Sequence, residues 1–303
     1  MEQQYTYAGA LETSERIRWR LEDLLDDDTR FDFSKRFLPE GLAQVDGLAF
    51  LTSAERRTLN QIRGNTYLNI FGLVEEFILP FVLDHARPHL HGDDVRLRAL
   101  LAFAGEEAKH IHLFKRFRDL FERGFATPCA IIGPASDISR AVLAHHPLAV
   151  GLAILHIEWM TQRHWTECVQ DDTELEPSFK SLLRHHWMEE AQHAKLDTLM
   201  LEAIAAGCTA EEIAGAVEEY LAIGGFLDEG LASQVTLDRE ALERATGRIL
   251  TDAEREAFVT HQQRANRWTY LGSGMTHPRF LAALERLDPA HRRRVEAVAP
   301  SFC

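Results

Sequence analysis

The chain has few cysteines. Its four thiols, Cys129, Cys168, Cys208 and Cys303, lie far apart and form no CxxC pair, so the sequence offers neither a disulfide framework nor a zinc knuckle. That usage fits a reducing cytosol, and a cytoplasmic protein is expected. Positive charge is also scarce. With 33 Lys and Arg against 47 Asp and Glu, the formal net charge is -14, which excludes the basic footprint that phosphate backbones and anionic lipids select. No nucleic-acid partner is expected. No uninterrupted apolar run approaches the roughly 18 residues of a membrane span, and Met1 to Arg20 is polar, without the apolar centre of an export signal; no membrane partner is expected either. Strand-like alternation is sparse, no repeat of fixed period is present, and no segment is of low complexity.

What the chain does have is apolar residues at three- and four-residue spacing. Across 303 residues, 46% of them hydrophobic, this predicts an all-α protein with a substantial core. Residues 1–50 read as a helix followed by an irregular stretch draped over the body, with the acidic run Asp26 to Asp28 and the segment Phe37 to Gly41. Thr52-Ser53-Ala54-Glu55 has the spacing of a capping box and opens a long helix that runs to about Arg87 and Pro88. A second helix spans about Asp94 to Arg123. The stretch Phe125 to Ser139, with Pro128, Gly133 and Pro134, is too long for a tight hairpin and reads as a crossover. Pro147 opens a third helix reaching about Val169, and Pro177 a fourth ending at Gly207. Capping-box spacings at Thr209 and Thr251 announce further helices. The expected architecture is a ferritin-like four-helix bundle over 51–207, with an N-terminal extension over 1–50 and C-terminal helices over 208–303 completing the same domain. Those last helices are placed to roof a substrate pocket.

Polar residues interrupt the core stripes at chemically telling positions. In the second helix Leu100, Phe103, Glu107, His110, Phe114, Phe117 and Phe121 follow at alternating steps of three and four, so one carboxylate and one imidazole stand where hydrophobes belong. Residues three apart share a helix face and reach one metal ion. The fourth helix puts His186, Glu190, His193 and Asp197 on one stripe. Burying such groups unpaired costs several kcal/mol each, and a bound cation removes that cost. The third helix offers Glu158 within an apolar run. The first offers Glu75 and Glu76; the register Leu68, Phe71, position 75, Ile78 and Val82 favours Glu75, whereas Glu76 falls in line with Asn69 and Gly72.

The candidate ligand set is therefore Glu75, Glu107, His110, Glu158, His186, Glu190 and His193. Oxygen and nitrogen donors without thiolate suit iron, and next manganese, better than structural zinc. Four anionic ligands balance two ferrous ions. With 15 histidines in the chain, a lone Glu-x-x-His arises at about one glutamate in twenty and says little; two on core stripes, with core carboxylates on the other two helices, say much more. For Glu106 and Glu189 two readings stay open, acceptors for ligand histidines or a solvated face. Asp197 is balanced in the same way, since its stripe is leaving the core. His85, His89, His91, His145, His156, His164 and His185 read as surface or hydrogen-bonded structural groups.

The pattern Glu, then Glu-x-x-His, then Glu, then His-x-x-x-Glu-x-x-His resembles the diiron N-oxygenases related to para-aminobenzoate N-oxygenase. Its carriers here are Gly72 to Glu75, Glu106 to His110, His156 to Glu158, and His186 to His193. His186, one turn before Glu190, is the distinctive part, because ribonucleotide reductase small subunits and bacterial multicomponent monooxygenases lack that third histidine. The likeness spans about Asn60 to Leu201. It implies that the seven residues hold two iron ions, that O2 is the co-substrate through a peroxo-bridged diferric species, and that a small-molecule amine is oxygenated. It implies also an external electron donor, such as a reductase or ferredoxin, and a homodimer. Competing expectations are C-hydroxylation or desaturation by the same centre, and a ferroxidase or metal-handling role.

Overall fold

The computed structural model describes residues 5–303, and every regular element among them is helical. In chain order these are α1 (Tyr7–Arg16), α2 (Glu40–Ala43), α3 (Ser53–Ala86), α4 (Asp94–Phe125), α5 (Ala135–Leu143), α6 (Pro147–Arg163), α7 (Pro177–Ala205) and α8 (Ala210–Thr246). Then follow α9 (Asp252–Arg267), α10 (Ser273–Met275), α11 (Pro278–Leu287) and α12 (Pro289–Val298). Local chemistry explains the starts. Thr52, Thr209 and Thr251 each accept a bond from the backbone three residues on, and Glu55, Glu212 and Glu254 close the reciprocal bond. Each such cap contributes about 1 kcal/mol. Proline opens α6 and α7, where its fixed φ suits the first turn and its missing N–H costs nothing.

α3 packs along α4 and α6 along α7, with a long connection between the two pairs, which is the ferritin-like bundle order. The last residues of that connection begin α5. Gln234 of α8 binds the connection at both edges, donating to the Ala130 carbonyl at 3.1 Å and accepting from the Ile132 N–H at 2.9 Å. α8 lies across α3 and α6. The winding of α6 loosens into a π-helix over His164–Val169, and a second π-helix follows α9 over Trp268–Gly272; no periodicity in the sequence signalled either.

The N-terminal segment is fastened by polar side chains of α3. Asn60 accepts from the N–H groups of Phe37 and Leu38 and donates to the Leu38 carbonyl, while Gln61 donates to Phe33 and Lys35 carbonyls. Phe37 thereby lies fully buried against Gly64, where an added Cβ would meet the Phe37 Cβ at 2.7 Å. The structure qualifies one expectation: an 18-residue window of the α3 segment has a mean hydropathy of 1.5, long and apolar enough on average to cross a membrane. More than half of that window is buried inside the bundle, and this helix carries Glu75 and Glu76, so core packing accounts for its apolarity.

Candidate metal centre

All seven predicted ligands meet in the bundle interior, and none is more than 3% exposed. α3 supplies Glu75, α4 Glu107 and His110, α6 Glu158, and α7 His186, Glu190 and His193. Glu190 straddles the middle. Its Oε1 lies 3.0 Å from His186 Nε2 and 3.1 Å from His110 Nδ1, and its Oε2 lies 3.4 Å from His193 Nδ1. Glu75 Oε1 stands 3.0 Å from His186 Nε2, and Glu107 Oε1 stands 2.9 Å from His193 Nδ1. Two groups of four donors result, Glu75, His110, His186 and Glu190, and Glu107, His110, Glu190 and His193, each with its donor atoms within 4.8 Å of one another. Glu158 is buried beside Glu190 at the same centre. Glu76, by contrast, sits at the rim, 3.3 Å from Lys115.

Many of these atoms are close without being hydrogen-bonded. Both Glu107 oxygens, Glu75 Oε2, Glu158 Oε2, Glu190 Oε1, His110 Nδ1 and His193 Nδ1 are buried without an aligned partner. Such atoms are expensive when left alone, and lone pairs converging on shared points are what a cation satisfies. The electrostatics agree. Burial, reinforced by the Glu107 charge, pushes Glu75 up to about 8, and burial beside Glu190 raises Glu158 well above the carboxylate range. Burial would raise Glu190 too, but the adjacent His186 and His193 hold it well below. The polypeptide alone must hold protons to offset crowded carboxylates; divalent ions would replace those protons. The donor set therefore fits a two-metal centre.

The outer side of the centre resolves the two readings left open for Glu106 and Glu189. Both are buried. His110 Nε2 donates to Glu189 at 2.8 Å, and His193 Nε2 donates to Glu106 at 2.8 Å, which turns each Nδ1 lone pair inward. Glu189 also receives Lys109, and Glu106 receives Gln192 and the Ser14 hydroxyl. Sequence reasoning gave no role to α1 or the residues after it, yet Ser14 reaches the centre's support and Trp19 stacks on His110 at 6.0 Å with Lys109 over its far-reaching ring. Residues 92 positions apart in sequence, such as Ser14 and Glu106, leave no periodic signal. Asp197 is buried with both oxygens unpartnered, one turn beyond His193, so its stripe has not left the core.

Aromatic rings close the remaining sides. Phe103 stacks on His193 at 4.1 Å, while Phe71 and Phe114 stand edge-on to His186 at 5.5 and 5.1 Å. Of the histidines given no role, His164 is buried between Tyr67 and Ser273, and His156 bonds Tyr220.

Residues 8–225 match the family described as p-aminobenzoate N-oxygenase AurF. No functionally curated protein matches the chain. Among solved structures, similar chains include point mutants of an R2-like ligand-binding oxidase. One with an aerobically reconstituted Mn/Fe cofactor has 16% identity and a TM-score of 0.46, over 89% of this chain and 94% of that one. Another with an aerobically reconstituted Fe/Fe cofactor has 16% identity and a TM-score of 0.40, over 89% and 94%.

Proposed function

Because the chain belongs to the p-aminobenzoate N-oxygenase family, we propose that it is an O2-dependent diiron oxygenase acting on the nitrogen of an arylamine-type substrate. The observation that carries this reading is the convergence of four buried carboxylates and three buried imidazoles, many of whose inward atoms lack partners. Glu75, Glu107, Glu158 and Glu190, with His110, His186 and His193, would hold two irons, with manganese the second choice. When bound, the irons supply O2 activation at a reduced centre. For a first oxygenation one oxygen atom enters the N–H bond to give a hydroxylamine and the other leaves as water, with two electrons and two protons from an external donor such as a reductase or ferredoxin.

The chain's own residues have definable tasks. Glu190 points Oε1 towards His110 and His186 and Oε2 towards His193, so it would contribute an oxygen to each donor group. Glu106 and Glu189 fix the tautomers of His193 and His110 and raise their basicity as ligands. Phe71, Phe103 and Phe114 keep bulk water from the imidazoles, which strengthens every charge interaction inside. The N-terminal segment, through Ser14 and Trp19, braces the outer supports, and the C-terminal helices complete the same domain. In a reducing cytoplasm, a homodimer of such subunits is the assembly we propose.

The test is O2 consumption and product analysis by the iron-loaded enzyme supplied with electrons and a panel of arylamines. Hydroxylamine, nitroso or nitro products with coupled O2 uptake are expected. Turnover confined to compounds without an amine, by hydroxylation or desaturation, would overturn the nitrogen assignment. Iron oxidation with no organic product under any condition would point instead to ferroxidase chemistry.

A further inference from the structure

An apolar cavity lies beside the centre, between α3, α5, α6 and α8. Phe71 and Val74, Ile138, Met160, and Leu227 line it from those helices in turn. No candidate ligand lines it, and Phe71 links it to them. Val74 precedes Glu75, Ile157 in its lining precedes Glu158, and Phe71 is shared, lining the cavity and standing with its ring edge-on to His186 at 5.5 Å. The lining contains no charged residue, and Tyr270 brings its one hydroxyl. Val74, Ile138 and Leu227 are only half-buried and form the rim.

We infer that this cavity receives the ring of the substrate and that the enzyme acts on arylamines that carry no anionic group. The inference rests on the N-oxygenase reading and narrows it. An arylamine nitrogen is uncharged at neutral pH because its lone pair is delocalised into the ring, so a neutral arylamine enters an apolar lining without desolvating a charge. A ring carboxylate would be buried with no cation to pair it, which a wall of aliphatic side chains cannot offset. The cavity has a volume of about 50 Å³, below the roughly 150 Å³ of a cavity that holds benzene. Entry therefore moves the rim side chains outward, and the rim is where bulk is best added to block it.

The experiment measures anaerobic binding to the full-length, iron-loaded enzyme of 4-aminobenzoate and of its methyl ester, which share ring and nitrogen and differ in charge. The ester is expected to bind at least about tenfold more tightly than the acid. Leu227→Trp and Ile138→Phe, which fill the rim, should each weaken the ester by about tenfold or more while iron content stays at the wild-type value. Val74→Lys, placing an ammonium at the rim, should narrow the gap between ester and acid. Equal affinity for acid and ester, or ester binding unchanged in both filling variants that retain iron, would overturn the inference. Binding is read without O2, so an ester that binds as expected but is never oxygenated would sink the oxygenase reading and leave the cavity assignment standing. Oxygenation of the ester with unaltered KM in both filling variants would do the reverse.

Discussion

Replacing Glu189 by glutamine isolates the support of the centre from the centre itself. Glu189 is fully buried, accepts from His110 Nε2 at 2.8 Å and pairs with Lys109. Glu189→Gln keeps the shape but leaves one acceptor oxygen for two donors, because the amide nitrogen only donates. Lys109, whose side chain is 24% exposed, can turn to solvent at a cost of about 0–1 kcal/mol. His110 cannot, so the amide oxygen goes to His110 and the imidazole loses its charged partner. Outer carboxylates of this kind are worth about 10–100-fold in metal affinity, or about 1.4–2.7 kcal/mol. The assay is an anaerobic ferrous titration against a competing chelator. Glu76→Gln is the matched control, since it makes the same charge change on a neighbouring surface against Lys115 and should leave affinity unchanged. Equal iron affinity in the two variants would refute the role given to Glu189.

Three further outcomes follow from the same geometry. Glu107→Gln removes a carboxylate whose two buried oxygens have no partner, so iron binding should collapse while the melting temperature of the metal-free protein holds or rises; a large drop in that temperature would show Glu107 to be structural. His186→Ala should retain part of the iron and change the lifetime of the oxygenated species followed by stopped-flow absorption, and identical kinetics would remove His186 from the ligands. Burial between Tyr67 and Ser273 lowers His164 to about 3, whereas the unfolded chain protonates it near 6.5. Its neutral form therefore stabilises the fold above pH ~6.5, and that stability drains away as the pH falls towards ~3, by several kcal/mol in all. His164→Gln should reduce the pH dependence of unfolding by about one proton over that window, and an unchanged dependence would contradict the assignment.

Much of this architecture was legible because the ligands break a pattern that physics otherwise enforces. Glu107 and His110 stand out only against Phe103, Phe114 and Phe117 on one stripe, and all are buried together. The same register separated Glu75, which faces the centre, from Glu76, which faces Lys115. Glu106 and Glu189 were ambiguous because each adjoins a ligand and points about 100° away, a direction that is core or surface depending on what packs there. Only the arrival of Ser14 and Gln192 on one and Lys109 on the other decides it. The π-helical turns at His164 and Trp268 were silent, since one extra residue per turn alters no composition. The cavity was silent too: its lining joins residues as far apart as Ile70 and Leu271, and aliphatic residues in a wall look like aliphatic residues in a core.

The central claim is a two-iron centre made by seven side chains of four helices, and anaerobic titration of the metal-free full-length protein with ferrous iron tests it most directly. Saturation at about two irons per chain is expected, followed by transient visible absorption on mixing with O2. Saturation at one iron or none, or binding of two irons that Glu107→Gln and Glu190→Gln leave intact, would contradict it.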